Sequence, residues 1–141
     1  MATIPYVKYE KGIEVLQEAG NAQTDTWKLI LSNTAPVVAT DTTALSATEL
    51  GTGGGYTAGG VACTVTSAAQ TAGVYKLVLA APASPTWTGS GAGFTFRYVI
   101  LYNLTNTQVV GYWDRGAATV LAVGDSYTPT LDATNGTYTI T

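Results

Sequence analysis

Phe94-Thr95-Phe96-Arg97-Tyr98-Val99-Ile100-Leu101-Tyr102, followed after a polar turn by Val109-Val110-Gly111-Tyr112-Trp113-Asp114-Arg115-Gly116, reads as a buried β-hairpin. Aromatic and β-branched side chains fill a pleated, half-buried surface well, and the first run holds a single charge, too apolar for a loop and too β-rich for a helix. By the two-residue period Phe94, Phe96, Tyr98, Ile100 and Tyr102 share one face, and Thr95, Arg97, Val99 and Leu101 the other. Both faces are largely apolar, which predicts a central strand. A turn centred on Thr105-Asn106 sets Arg97 opposite Asp114. An unpaired charge out of water is costly, so this pair is expected as a structural ion pair rather than as a site.

Outward from the hairpin, the 141 residues fit one domain that can bury a sizeable core. The single cysteine, Cys63, has no internal disulfide partner, and the alternation of Val61, Cys63 and Val65 makes it a small core hydrophobe. Six basic against nine acidic side chains give a net charge of −3, which disfavours binding of nucleic acid through a basic surface. Residues 42 to 96 contain only Glu49 and Lys76 as charges, whereas Lys8, Glu10, Lys11, Glu14, Glu18, Asp25 and Lys28 crowd the first 28 positions. Charged residues are 11% of the chain, where ordinary domains carry about 25%. Either other subunits cover much of the surface, or Thr, Ser and Asn solvate it. No apolar run is long enough to span a membrane. The start, Met1-Ala2-Thr3-Ile4-Pro5-Tyr6, lacks the pattern of a secretory signal, so a protein made in the cytoplasm is expected.

Residues 6 to 19 form the one helical candidate, because Tyr6, Tyr9, Ile13 and Leu16 recur at three- and four-residue intervals before Gly20-Asn21. Ile13-Glu14-Val15 also alternates as a strand does. This segment is either an arm that docks on a neighbour or an amphipathic helix covering one end of a sheet. Residues 1–26 are therefore set apart as an N-terminal arm or helix from a β-sandwich domain at 27–141. Within that domain the expected strands are Trp27 to Leu31, Val61 to Thr66, Gly73 to Leu79, the central hairpin, Ala118 to Val123, Ser126 to Leu131 and Thr137 to Thr141. Pro129 is confined to an edge or bulge, and Trp87 is a core plug or an edge cover. Short strands separated by frequent turn signals indicate an all-β, antiparallel sandwich of jelly-roll or Greek-key type.

Chemistry has little to work with. There is no histidine, which removes the commonest general base and most transition-metal sites. Acid–base work would fall to Asp114, Asp125, Asp132, Glu49 or the N-terminal glutamates; a glycosidase needs two carboxylates facing each other across a cleft, and Asp125 and Asp132 stand in Gly-Asp-Ser and Asp-Ala-Thr-Asn-Gly contexts that turns explain. Gly53-x-Gly55-x-x-Ala58 formally matches a loose dinucleotide fingerprint, yet an alternating strand follows where a helix must begin. A mobile or interface-ordered loop is expected there. No catalytic residue, metal site or cofactor is expected. The three tryptophans and nine tyrosines are either the core or stacking platforms for sugar rings.

Five phrases taken in order, Leu31 to Val37, Gly54 to Gly60, Phe96 to Asn103, Gly111 to Asp114, and Gly124-Asp125-Ser126 leading to Asp132 to Gly136, resemble a family of small structural proteins encoded in the virion gene clusters of tailed bacteriophages. The resemblance covers about residues 27 to 141. It implies a non-enzymatic virion component present in many copies, of the kind that decorates or cements the outer capsid surface. The major capsid protein and further copies of the chain itself, as a dimer or trimer, are the implied partners, without nucleic acid or membrane. Two stretches are the candidate interface: Tyr6, Tyr9, Ile13 and Leu16 on the arm, and Gly53, Gly54, Gly55 and Tyr56 in the glycine loop. A tail or neck component and a carbohydrate-binding or host-adsorption module are the alternatives.

Overall fold

The computed structural model describes residues 5–9, 21–43, 47–82 and 84–141. Among them are nine strands and no helix: β1 (Tyr6–Lys8), β2 (Trp27–Ser32), β3 (Val61–Thr71), β4 (Val74–Ala80), β5 (Trp87–Thr88), β6 (Phe94–Asn103), β7 (Gln108–Leu121), β8 (Ser126–Tyr127) and β9 (Tyr138–Ile140). Seven form one antiparallel sheet in the order β1-β7-β6-β2-β3-β4-β9, and β5 pairs with β8. The strands β2, β3 and β4 lie side by side, and β6 returns after a long connection to sit beside β2, which is the strand order of a Greek key with a long strap in place of its first hairpin turn. The expected all-β, antiparallel class is the one observed. Because every neighbour is antiparallel, the two edge strands β1 and β9 run in the same direction. The sheet curls until these edges approach: Tyr6 and Lys8 line one side of a gap whose other side is Asn135 to Thr139.

Inside the curl Trp27, Leu29, Leu31, Leu77, Leu79, Phe96, Val99, Leu101 and Leu121 form the main core. Each fully buried leucine contributes about 1.5–3 kcal/mol. Ile30, Tyr98, Ile100, Tyr102 and Val109 project the other way into a second cluster with Tyr9 and Ala47. The connection after β2 straps this outer face, held by Val109 N donating to Thr42 O (2.9 Å) and Leu50 N donating to Leu31 O (2.8 Å). That strap explains why β6 is apolar on both faces, as a central strand is.

The hairpin differs from expectation in register. Asn103 faces Gln108 and Tyr102 faces Val109, as a turn centred on Thr105-Asn106 requires. Val110 is then an extra residue on β7, so Leu101 faces Gly111 and Tyr98, not Arg97, faces Asp114. A second irregularity lets Phe96 pair with Thr119. The strict two-residue face assignment therefore breaks at Arg97. Phe96 shares the inner core with Val99 and Leu101, while Tyr98 belongs to the outer cluster. A bulge bends the strand and re-aims its side chains, and periodicity alone does not reveal it.

Three further corrections follow from pairing partners. Tyr6–Lys8, expected as the first turn of a helix, is a strand against β7, with Tyr6 opposite Trp113. Tyr6 packs on the inner core and Tyr9 on the outer cluster, as side chains three apart on extended chain do. The rest of that helical reading, including Ile13 and Leu16, lies outside the described residues. Strands expected at 109–116 and 118–123 are one strand, β7, because Gly116 takes φ +83° at the irregularity and the ladder resumes beyond it. In the stretch from Ser126 to Leu131 only Ser126–Tyr127 pairs, since Pro129 has no N–H to give a ladder.

Candidate functional site

The glycine loop is held by the chain's own backbone and by one carboxylate. Tyr56 turns inward to 1% exposure. Its hydroxyl donates to Glu49 Oε1 (2.6 Å) and accepts from Leu31 N (3.1 Å), while Gly59 N donates to the same Glu49 oxygen (2.6 Å). Burial, then the hydrogen bond to Glu49, pushes the Tyr56 hydroxyl pKa well above the usual tyrosine range. Gly54 sits at φ +63° where a Cβ would strike the carbonyl oxygen of Gly93, so only glycine fits. Gly53 and Gly55 are exposed at the rim. Of the eight candidate interface residues, Tyr9 and Tyr56 are buried in the chain's own core. A partner at this loop therefore meets backbone and not the tyrosine.

Arg97 and Asp114 do meet, diagonally across the bulge. Nε donates to Oδ1 at 2.8 Å and Nη2 to Oδ2 at 2.9 Å. Asp114 Oδ1 also accepts from Gly116 N at 2.8 Å. The forked guanidinium beside it holds the Asp114 carboxyl below its ordinary value. With side chains 39% and 37% exposed, the pair clasps the irregularity rather than facing a cleft. Asp125 accepts from Ala122 N, and Asp132 accepts from the N–H groups of Thr134 and Asn135, the turn roles their contexts implied. Asp25 was not singled out by sequence. It is a buried acceptor for Asn21 N, Asn103 Nδ2 and Asn106 Nδ2, tying the segment before β2 to the hairpin turn. Among the described residues no three His, Cys, Asp or Glu side chains cluster as metal ligands would.

A cleft lies at the end of the curl where β1 begins. Its volume is about 490 Å³, and Tyr6, Trp113, Arg115, Tyr127, Leu131 and Thr137 are among its walls. The sequence builds it from three places. β7 supplies Trp113 and Arg115 on its inner face, two residues apart. β1 lays the Tyr6 ring over Gly111, where any Cβ would collide with it, and against Trp113 with ring centroids 5.0 Å apart. The segment after β8 closes the third side with Pro129 to Asp132.

Arg115 is the chemically distinctive group there. Its guanidinium carbon stands 4.5 Å from the centre of the Tyr127 ring and 5.6 Å from that of Phe96, and Nε donates to Thr119 Oγ1 at 2.9 Å. Among the described residues no carboxylate lies at ion-pair distance from it; the one such pair there joins Arg97 to Asp114. The Tyr6 hydroxyl is buried with no hydrogen-bond partner, and burial above all drives its pKa far upward. Trp27 and Trp87, at 0% and 5% exposure, are core residues, so of the three tryptophans Trp113 is the one that faces the cleft. The reasoning applied to Arg97, that an arginine on an apolar hairpin must find a counter-charge, would have drawn attention to Arg115 as well. Comparison of the chain with known protein families, with curated proteins and with solved structures finds no match.

Proposed function

We propose that the chain is a structural, non-enzymatic component of a tailed-bacteriophage virion, acting as a capsid decoration protein whose partners are the major capsid protein and further copies of itself. One surface carries this reading. The eleven-residue strand β3 exposes Ala62, Thr64, Thr66, Ser67, Ala69, Gln70 and Thr71 without a single charge. Solvated strand surfaces ordinarily carry lysine and glutamate, which also keep edges and faces from associating. An uncharged face of small side chains suits close packing against a neighbouring subunit.

Two observations support the same reading. The phrases that resemble the phage family fall on packing and turn positions: the loop at Gly54 to Gly60, the Tyr6 seat at Gly111, and the Asp132 turn. Glu49, Asp25 and Asp114 are engaged in holding the chain together. A protein that binds only the assembled shell stabilises it by mass action, and many weak contacts add through multivalency. Fractionating purified particles into heads and tails tests the assignment. Recovery of the chain with heads, in many copies per particle, is the expected result; recovery with tails would replace decoration by a tail or neck role.

A further inference from the structure

We propose that the cleft bounded by Tyr6, Trp113, Arg115 and Tyr127 is a binding site for an acidic sugar, a pyranose ring carrying a carboxylate. The inference does not rest on the virion reading and stands or falls separately from it.

Two features of the cleft ask for two features of one ligand. Arg115 is anchored through Nε to Thr119, and it stands against the Tyr127 ring and hydrogen-bonds the Tyr127 hydroxyl, which uses two of the five N–H donors of a guanidinium and leaves the others for a ligand. A guanidinium held in this way accepts a carboxylate as a fork, with little further ordering. Asp132 also borders the cleft and does not neutralise Arg115. Its oxygens accept from Thr134 N, Asn135 N and Asn135 Nδ2, and Arg115 is not among its partners.

The second feature is flat apolar surface. The Trp113 ring leans on Tyr6 and lines the cleft, while Tyr127, whose ring carries Arg115 and stacks with Trp87, backs the guanidinium. The Trp113 face suits the C–H side of a pyranose, as it suits other flat apolar surfaces. The volume of about 490 Å³ lies within the usual range for small-ligand sites.

A peptide carboxylate shares the first feature and fits the second less well. Pro5 and Pro129 stand in the walls and carry no N–H, so an extended main chain finds few ladder partners. The bordering strand β1 is three residues long. The Trp113 face serves a pyranose ring better than an extended backbone.

The test uses the unmodified protein on an array of acidic oligosaccharides, trigalacturonate and oligosialate among them, beside their neutral counterparts and an Ala-Glu-Ala peptide. Titration calorimetry then compares the strongest acidic glycan with its methyl ester, which removes the charge from the ligand and leaves the protein's fold untouched. The expected result is saturable binding of one or more acidic glycans, at least about tenfold weaker for the ester and similarly weakened by Arg115→Gln. Equal binding of acid and ester would overturn the proposal. So would the absence of binding by every acidic glycan at ~10 mM, or tighter binding of the acidic peptide than of any sugar.

Discussion

Gly54 holds its backbone at φ +63° under the Gly93 carbonyl, whereas Gly51 takes no strained conformation and has open space where a Cβ would stand. The two glycines look alike in the sequence and differ in consequence. Gly54→Ala is predicted to destabilise the fold by about 3 kcal/mol or more, since it combines strain at positive φ with a backbone collision. Gly51→Ala should stay within about 0.5 kcal/mol; urea unfolding of both variants against the parent checks the contrast. Cys63 supplies a second prediction at this scale. It packs against the main core, and burial pushes its thiol pKa up to about 12. Because the thiolate is the nucleophile, iodoacetamide at pH 8 should leave the native protein unmodified and label it once unfolded, read by intact mass. The cysteine's role was legible because alternation with Val61 and Val65 is a local pattern. Arg115 was legible only as an arginine in need of a partner, because the ring it lies on, Tyr127, arrives from another sheet.

Among the elements, β2 and the β6–β7 hairpin were legible because apolar and β-branched runs bounded by turns leave few other readings. The path of β6 past Arg97 was not. A bulge transfers the inner role from the Phe96 set to Val99 and Leu101, and it is fixed by pairing with β7. Strand β1 was hidden for a related reason: three residues carry no period of their own, and the segment is extended because it meets Trp113 and Gly111. The Arg97–Asp114 clasp holds the irregular part of the hairpin, and it predicts an acid dependence. The Asp114 carboxyl is lowered from 3.8 by the Arg97 hydrogen bonds. A lowered folded value means the pair's stabilisation is fully present above that ordinary pKa and is lost as pH falls through the folded one. The stability difference between the protein and Asp114→Asn should therefore be flat from neutral pH down to about 5 and shrink below about 4. Exposed pairs are screened, so the difference should also shrink in high salt. Urea midpoints across this pH range, at two salt concentrations, measure it.

For the whole molecule, seven alternating strands leave β1 and β9 co-directional at the two edges, where they line a gap without pairing, and the cleft lies at the end of the curl. The fold class was readable from strand number and turn spacing, but the cleft depended on three segments distant in sequence. The uncharged β3 face is the molecular-scale feature that a decoration role uses, and it makes a prediction of its own. Thr64 and Ala69 are both exposed on β3. Replacing both with lysine should leave thermal unfolding within about 0.5 kcal/mol of the parent, as surface changes do. The same change should lower the number of copies retained on particles by about tenfold, since a charge buried without a partner at an interface is costly. The central claim meets its most direct test in images of the intact particle at a resolution that shows strands. The account predicts the curled seven-stranded sheet at many symmetry-related positions on the outside of the head shell, with β3 against a neighbouring subunit. Particles that lack the chain, or that carry it only at the tail, would contradict it.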